Sequence, residues 1–250
     1  MTIQQITLDL RRFKPFACLL GLAIGWFAIP AWSQSDGVPA RALAEKGELV
    51  FSDDFSTDRF GSTWTERVKS AGVENGVMFG RQTTTEHGSV ASMKLELPDG
   101  NLICECRVQF EHNVTVAFSF DDMKHPDSVA GHIARVTLEP QLVKLHDDKE
   151  GEMNRKLAAL RKSDDAIAKA GAEAEIKRHT LIVPMKLETQ SWHALVVEIV
   201  GDQMRVTLDG KPVGFLKSGG LAHDKKPDLK INVSGKQALF DDLRIWSLKR

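Results

Sequence analysis

The fold is decided by residues 191–210, which read SWHALVVEIVGDQMRVTLDG. The first ten of these residues form a β-branched run, and the stretch 203–208 alternates apolar with polar residues. Gly201-Asp202 separates the two runs, and Asp209-Gly210 follows the second. Both dipeptides supply the positive φ angles that two-residue hairpin turns require. This stretch therefore predicts consecutive antiparallel strands and an all-β fold.

Outward from this stretch, the same signals recur along most of the chain. Short apolar or alternating runs bounded by turn residues predict further strands at 48–55, 73–79, 90–97, 102–110, 114–120, 132–139, 142–146 and 239–246. Many short strands separated by turns are typical of a sandwich or a barrel.

One segment, residues 149–178, breaks this pattern and predicts a helical insertion. It is rich in Ala, Lys and Glu and divides into two helices at 150–162 and 164–178. We expect Ser163 to cap the second helix, and Leu157, Leu160 and Ile167 to share one helix face. The insertion is interpreted either as a solvent-exposed decoration over a sheet edge or as a lid or partner-docking hairpin.

The first 33 residues have the pattern of a signal peptide. Three basic side chains before position 15 are followed by the apolar run 16–29, and Ala31 and Ser33 supply the small residues of a cleavage site. The run is shorter than the roughly 20 residues of a membrane span, although a retained N-terminal anchor is the alternative. We predict cleavage before Gln34 and a periplasmic or extracellular bacterial location.

Removal of this segment leaves a chain suited to one domain. Residues 34–47 are expected to be flexible and residues 48–250 to form the sandwich. The net charge becomes about −3, because the removed segment contains three basic residues and one acidic residue. This balance lacks the basic excess of a nucleic-acid-binding protein. Cys104 and Cys106, the two remaining cysteines, are expected to be small buried side chains. The sequence does not indicate an oligomeric state.

The central strands separate apolar from polar side chains. We expect strands 102–110 and 114–120 to form a hairpin around His112, so that their apolar sides share one face of a single sheet. The opposite, polar face then collects Glu105, Arg107, Gln109, Arg135 and Glu139, with Asp121 at its rim. Plain solvent exposure is one interpretation of this face. Binding of a polar ligand such as a sugar is the other.

Two groups of motifs resemble a known family. The first group is Val50-Phe51-Ser52-Asp53-Asp54-Phe55, Trp64 and Glu74-Asn75-Gly76-Val77; the second is Ser191-Trp192-His193, Gly201-Asp202, Leu208-Asp209-Gly210 and Phe240-Asp241-Asp242-Leu243-Arg244-Ile245-Trp246. Together they resemble the concanavalin A-like lectin/glucanase superfamily, most closely its secreted bacterial 3-keto-disaccharide hydrolase (family-16 glycosidase-like) domains. The resemblance covers about residues 48–248 apart from the insertion. It implies an antiparallel jelly-roll sandwich of two sheets, with adjacent first and last strands and a carbohydrate-binding concave face.

The sequence departs from the catalytic members of this family. Family-16 glucanases carry Glu-x-Asp-x-x-Glu on a central strand, whereas residues 105–111 read ECRVQFE, with Arg107 in the position of the middle Asp. We therefore expect carbohydrate binding with weak or no turnover. The alternatives are glycoside or 3-keto-glycoside hydrolysis by Glu105 and Glu139, and a structural or interaction module of the cell envelope.

The resemblance and the polar face together give candidate ligand-binding residues, which are Arg107, Gln109, Arg135, Asp121 and Trp64. Trp64 follows a loop-like stretch and is expected to be exposed, where it can stack on a sugar. Trp192 begins a strand that is apolar on both faces and is expected in the core.

The resemblance also implies a structural Ca²⁺ between the N-terminal strand and the final strand. Asp241 is the expected ligand, assisted by Asp53 or Asp54. Calcium takes six or more oxygen ligands in irregular geometry, so carboxylates and backbone carbonyls suffice. The alternative is that these Asp side chains accept hydrogen bonds from turn amides.

Overall fold

The computed structural model describes residues 37–67 and 69–249, which form fifteen β-strands and two α-helices. The strands are β1 (Lys46–Asp53), β2 (Thr65–Glu66), β3 (Ala71–Glu74), β4 (Val77–Gly80), β5 (Ser89–Lys94), β6 (Leu102–Phe110), β7 (Thr115–Asp121), β8 (His132–Glu139), β9 (Leu142–Asp147), β10 (Thr180–Pro184), β11 (His193–Val200), β12 (Gln203–Leu208), β13 (Lys211–Lys217), β14 (Asp228–Ser234) and β15 (Ala238–Leu248). The helices are α1 (Arg155–Arg161) and α2 (Ala166–Arg178).

The strands form two antiparallel sheets packed as a sandwich. Sheet 1 has the order β13-β12-β11-β6-β15-β4-β3, and β1 pairs with β15. Sheet 2 has the order β10-β9-β8-β7-β14-β5-β2. The predicted all-β, two-sheet jelly-roll sandwich is confirmed, as is the adjacency of the first and last strands.

The hairpins of sheet 1 follow from their turn residues. Val200 pairs with Gln203 and Leu208 with Lys211, so both predicted turns have two residues. Gly201, Asp209 and Gly210 all have positive φ, as such turns demand. Asn75-Gly76 makes the same kind of turn, so the predicted single strand 73–79 is wrong: it is the hairpin β3–β4.

The core lies between the two sheets. Phe118 of sheet 2 packs edge-on against Phe240 of sheet 1, with ring centroids 5.9 Å apart. Both side chains are fully buried. Cys104 and Cys106 are buried free thiols, as the sequence predicts. Alternation along each strand then leaves every second side chain on the outer face of its sheet.

The expected hairpin between residues 102–110 and 114–120 is wrong. β6 lies in sheet 1 between β11 and β15, whereas β7 lies in sheet 2 between β8 and β14. Both strands turn their large apolar side chains inward, so these side chains meet across the core instead of sharing one side of a sheet. The turn at 111–114 therefore carries the chain from one sheet to the other.

The helical insertion between β9 and β10 is confirmed, but two details differ. The second helix is capped by Asp165, whose Oδ1 accepts hydrogen bonds from the backbone N–H groups of Ile167 and Ala168, and not by Ser163. Ile167 is 85% exposed and does not share a packed face with Leu157 and Leu160.

The described residues begin at residue 37, so the predicted signal peptide, residues 1–33, lies outside them. β1 begins at Lys46, two residues before the predicted domain boundary. Part of the segment expected to be flexible is hydrogen-bonded to sheet 1: Leu43 N donates to Glu198 Oε1, and Arg205 Nε donates to Pro39 O. Neither helix within the described ranges is long and apolar enough to cross a bilayer.

Candidate functional site

The sheet assignment separates the predicted polar face into two. Glu105, Arg107 and Gln109 lie on the outer face of sheet 1, because the residues between them face the core. Arg135 and Glu139 lie on the outer face of sheet 2, as does Asp121. Glu105 and Glu139 are thus on opposite sides of the sandwich. They cannot flank one glycosidic bond, so the predicted catalytic pair is wrong.

On sheet 1, Arg107 is stacked on Trp192. The guanidinium Cζ lies 4.8 Å from the centroid of the indole ring, and Nη1 lies 3.1 Å from Oδ2 of Asp241. Trp192 precedes His193, which is buried and pairs with Val108, so alternation turns the indole outward. The expectation that Trp192 lies in the core is therefore wrong: the indole is half-buried on the outer face.

A pocket of about 220 Å³ begins at Gln109, two residues along β6 from Arg107. Its lining residues are Gln109, Phe110, Glu111, Gln190, Gln237 and Leu239. Gln109 Nε2 donates to the backbone O of Gln190 at 2.6 Å, which fixes one amide at the wall. Gln190 has a φ of 62°, an uncommon value for a residue other than glycine. The pocket offers the amide donors and acceptors of Gln109, Gln190 and Gln237.

The same face continues across sheet 1 to a second aromatic side chain. Gln109 pairs with Leu239, and Leu239 pairs with Phe79. The guanidinium Cζ of Arg81 lies 4.0 Å from the centroid of Phe79. We call Trp192, Gln109, Leu239 and Phe79 the aromatic row. Of these four residues only Gln109 was predicted from the sequence to bind ligand. Phe79 alternates with the buried Met78, and this alternation is the signal that places it on the outer face.

Glu105 lies further along sheet 1 and is already engaged. Its Oε1 lies 2.6 Å from Lys46 Nζ, and its Oε2 accepts a hydrogen bond from Trp246 Nε1 at 3.1 Å. Lys46 also lies over the Trp246 ring, 5.1 Å from its centroid. This cluster stabilises the contact between β1, β6 and β15 and leaves no free carboxylate for acid–base chemistry.

Trp64 is not a surface residue, so its predicted role in stacking is wrong. Its side chain is fully buried among Phe51, Phe55 and Phe60. The indole Nε1 donates to Asp53 Oδ2 at 3.0 Å. A loop-like sequence pattern did not reveal this cluster, because its aromatic partners are brought in by β1 and the turn after it.

The predicted calcium ligands do not form a common site. Both carboxylate oxygens of Asp53 accept hydrogen bonds, from Phe55 N and Trp64 Nε1. Asp241 Oδ2 accepts from Arg107 and Oδ1 from Asp242 N. A pocket of about 220 Å³ borders Asp53, Asp54 and Asp242, but Arg59 and Arg244 line it as well. These donors and neighbouring guanidinium groups do not fit a bound Ca²⁺.

Sheet 2 carries a buried ionic network on its outer face. Arg135 Nη2 donates to Asp148 Oδ1 at 2.9 Å and to Glu152 Oε2 at 2.8 Å. Burial raises the pKa of the Asp148 carboxyl to about 6, against the lowering effect of Arg135. Burial, with the charges of Arg135 and Lys144, lowers the pKa of His146 to about 3. Asp148 is fully buried, so it does not reach a ligand on the surface.

The other predicted residues of sheet 2 are also paired. Asp121 is fully buried, with Oδ1 3.0 Å from His132 Nδ1 and Oδ2 2.7 Å from Lys230 Nζ. Glu139 Oε1 lies 2.8 Å from Lys144 Nζ. The outer faces of β7, β8 and β9 hold no Phe, Tyr or Trp side chain, so they lack a ring of the kind that Trp192 and Phe79 place on sheet 1.

Two groups of three metal-capable side chains occur within the described ranges. The groups are His146, Asp148 and Glu152, and Asp147, Glu150 and His179. In the first, Arg135 already bonds both carboxylates. In the second, Ser218 Oγ bonds Asp147 Oδ2 and His179 Nδ1. Neither group contains Asp241, Asp53 or Asp54, although Asp147 and Asp148 were a weaker second candidate for a calcium site in the sequence.

Comparison with known proteins places the fold. No family model matches the chain, and no curated protein matches it. Solved structures with this fold include the laminarinase from Rhodothermus marinus (TM-score 0.57, 13% identity, 84% of this chain and 100% of that chain). They also include the catalytic domain of an endo-1,3-β-glucanase (laminarinase) from Thermotoga petrophila RKU-1 (TM-score 0.54, 14% identity, 82% and 100%) and SCLam, a non-specific endo-β-1,3(4)-glucanase from family GH16 (TM-score 0.55, 12% identity, 86% and 99%). The chain therefore has the concanavalin A-like jelly-roll fold of GH16 endo-glucanases, as the resemblance implied, and identities this low show the fold alone.

Proposed function

We propose that this protein is an exported carbohydrate-binding protein and that the aromatic row of sheet 1 holds the glycan. The half-buried indole of Trp192 supports this proposal, because Arg107 is stacked on it and Gln109, which follows Arg107 on the same face of β6, lines an amide-lined pocket. An indole is a rigid apolar surface of the kind that the apolar face of a pyranose ring stacks on. The amides of Gln109 and Gln190 suit the hydroxyl groups of the same sugar, in the manner of apolar sites with a few placed polar groups.

We propose binding without turnover. Hydrolysis needs two carboxyl groups, one on each side of the scissile bond, and one of them must have a raised pKa. Near the aromatic row, Asp241 and Asp242 flank Arg107, and Glu111 pairs with Lys236 at 2.9 Å. The carboxyl with a pKa of about 6, Asp148, is buried on the other sheet. Export is part of this proposal because of the predicted signal peptide.

A screen of the purified protein against neutral and acidic glycans, combined with an assay for released reducing ends, tests this function. We expect at least one neutral plant, algal or microbial glycan to bind without release of reducing ends. Release of sugar by the wild-type protein that a Glu111→Gln variant loses would identify an enzyme instead. Absence of binding to every glycan tested would contradict the proposed function.

A further inference from the structure

A groove lies at one edge of the sandwich, at the opposite end of β15 from the aromatic row. One hollow of about 400 Å³ opens between β1, the end of β15 and the loop that follows β5. A second hollow of about 530 Å³ opens between that loop and the segment that precedes β14. Leu97 and Pro98 of the loop line both hollows, so the two adjoin. We call the two hollows together the edge groove.

The edge groove presents aliphatic surface to solvent. Leu49 is 42% exposed and Pro98 is exposed, whereas Val50 and Leu97 are half-buried. β1 is an edge strand here, because β15 is its only neighbour among the described strands. Exposed apolar surface with a polar rim is typical of a protein interaction site. No aromatic ring occurs among the residues that line the groove, so it lacks the stacking surface of a sugar site.

The rim of the edge groove is acidic. Four carboxylates line it, those of Glu48, Glu96, Asp99 and Asp224. Glu48 and Glu96 are exposed, and neither side chain forms an ion pair within the described ranges. Of the two lysines that line the groove, Lys226 is buried and its Nζ donates to three backbone carbonyl oxygens at 2.7, 2.8 and 2.9 Å. Lys225 is therefore the one base among the lining residues that faces solvent, and the rim has a net negative charge.

We propose that the edge groove docks a segment of a partner protein that carries Lys or Arg on both sides of an aliphatic residue. The aliphatic side chain packs against Leu97 and Pro98, and the basic side chains reach Glu48 and Glu96 on the rim. Complementary charge of this kind sets the choice and the orientation of a partner. The same carboxylates repel nucleic acids and anionic lipid surfaces. This docking site is separate from the proposed glycan site and does not depend on it.

Fluorescence-anisotropy titration of the purified protein with short labelled peptides tests this docking site. We expect a peptide of alternating Lys and Leu to bind roughly tenfold more tightly than one of alternating Lys and Ser, because burial of one aliphatic side chain is worth about that factor. A peptide of alternating Glu and Leu should not bind. Added salt should weaken binding of the Lys and Leu peptide, because exposed charges are screened.

A pair of double variants locates the bound peptide. Glu48→Gln with Glu96→Gln should weaken binding of the Lys and Leu peptide by roughly three- to tenfold, through the loss of two exposed ion pairs. Glu86→Gln with Asp164→Asn is the matched control, because it removes two exposed carboxylates elsewhere and gives the same net charge. The control variant should bind the peptide like the wild type.

Three results overturn the docking site: no binding of the Lys and Leu peptide, equal binding of either comparison peptide, or equal effects of the two double variants. The comparison of the three peptides uses the wild-type protein, so it stands even if a variant does not fold. Thermal melts establish that both double variants fold. Glycan binding should be the same in both, so failure of the docking site and failure of the proposed function are separate results.

Discussion

The guanidinium of Arg107 joins Asp241 to Trp192: it lies 3.1 Å from the carboxylate and 4.8 Å from the centroid of the indole. Asp241, which the sequence suggested as a calcium ligand, uses both carboxylate oxygens to accept hydrogen bonds from Arg107 and from the backbone N–H of Asp242. Arg107 reaches Asp241 because β6 and β15 are neighbours and the two residues pair directly. The contact therefore follows from the topology of sheet 1.

Loss of the Asp241 carboxylate should loosen this arrangement. We expect Asp241→Asn to weaken glycan binding several-fold and to change the fluorescence of Trp192, with little change in the melting temperature, because the ion pair is partly exposed. Asp54→Asn, at an exposed carboxylate away from the stack, serves as the control. Unchanged affinity in Asp241→Asn would mean that glycan binding does not depend on the ion pair between Arg107 and Asp241.

Removal of divalent cations should not affect stability. The oxygens of Asp53 and Asp241 are occupied by protein donors, so we expect the same melting temperature in EDTA as in buffer. A melting temperature that falls in EDTA and recovers by mass action with added Ca²⁺ would show that the folded protein binds Ca²⁺.

His146 should make the fold sensitive to acid. Its pKa is about 3 in the folded state, against about 6.5 in an unfolded chain. Between these values the unfolded state binds more protons, so this contribution to stability is present above pH 6.5 and is lost as the pH falls. Between pH 7 and pH 4.5 the loss of stability is roughly 2–3 kcal/mol by linkage. Asp148, whose folded pKa is raised, has the opposite effect: it increases the free energy of unfolding as the pH falls. This effect is common to the wild type and to a His146 variant.

Denaturant melts at the two pH values test this prediction. We expect His146→Gln to lose less stability than the wild type on going from pH 7 to pH 4.5. His87→Gln, at an exposed His, should behave like the wild type. Equal losses in His146→Gln and the wild type would show that His146 takes up its proton in the folded state.

The core between the sheets should depend on Phe118. Phe118→Ala empties a fully buried site against Phe240 and should cost about 3–5 kcal/mol in the free energy of unfolding. Ile182→Ala, at a side chain that is 49% exposed, should cost much less. Similar costs for the two variants would mean that Phe118 does not face the opposite sheet.

Much of the fold could be predicted from the sequence, because strand boundaries follow local signals. The strands at 102–110, 132–139 and 203–208 were predicted with the bounds that the structure has. Periodicity gives the face on which a residue lies, but it does not give the sheet that its strand joins. The error at β6 and β7 arose in this way, since a turn within a sheet and a turn between sheets leave the same alternation.

Because periodicity gives the face of a residue but not its sheet, only some of the site residues were predicted correctly. Arg107 and Gln109 were predicted to bind ligand and do lie on the aromatic row or beside it. Arg135 and Asp121 were assigned to the same face only because of the wrong hairpin. Trp64 could not be placed, because its burial depends on aromatic side chains that only the tertiary fold brings together.

A pair of tryptophan variants tests whether the indole of Trp192 binds the glycan. Trp192 and Trp246 both lie half-buried on the outer face of sheet 1 with a cationic side chain over the ring. Trp192 lies two residues from Gln190, which lines the amide-lined pocket, whereas Trp246 pairs with Ile103 further along β6. Titration calorimetry should show that Trp192→Ala abolishes binding of the glycan selected by the screen and that Trp246→Ala, if folded, retains it. Retained binding in Trp192→Ala, or equal loss in both variants, would contradict the account.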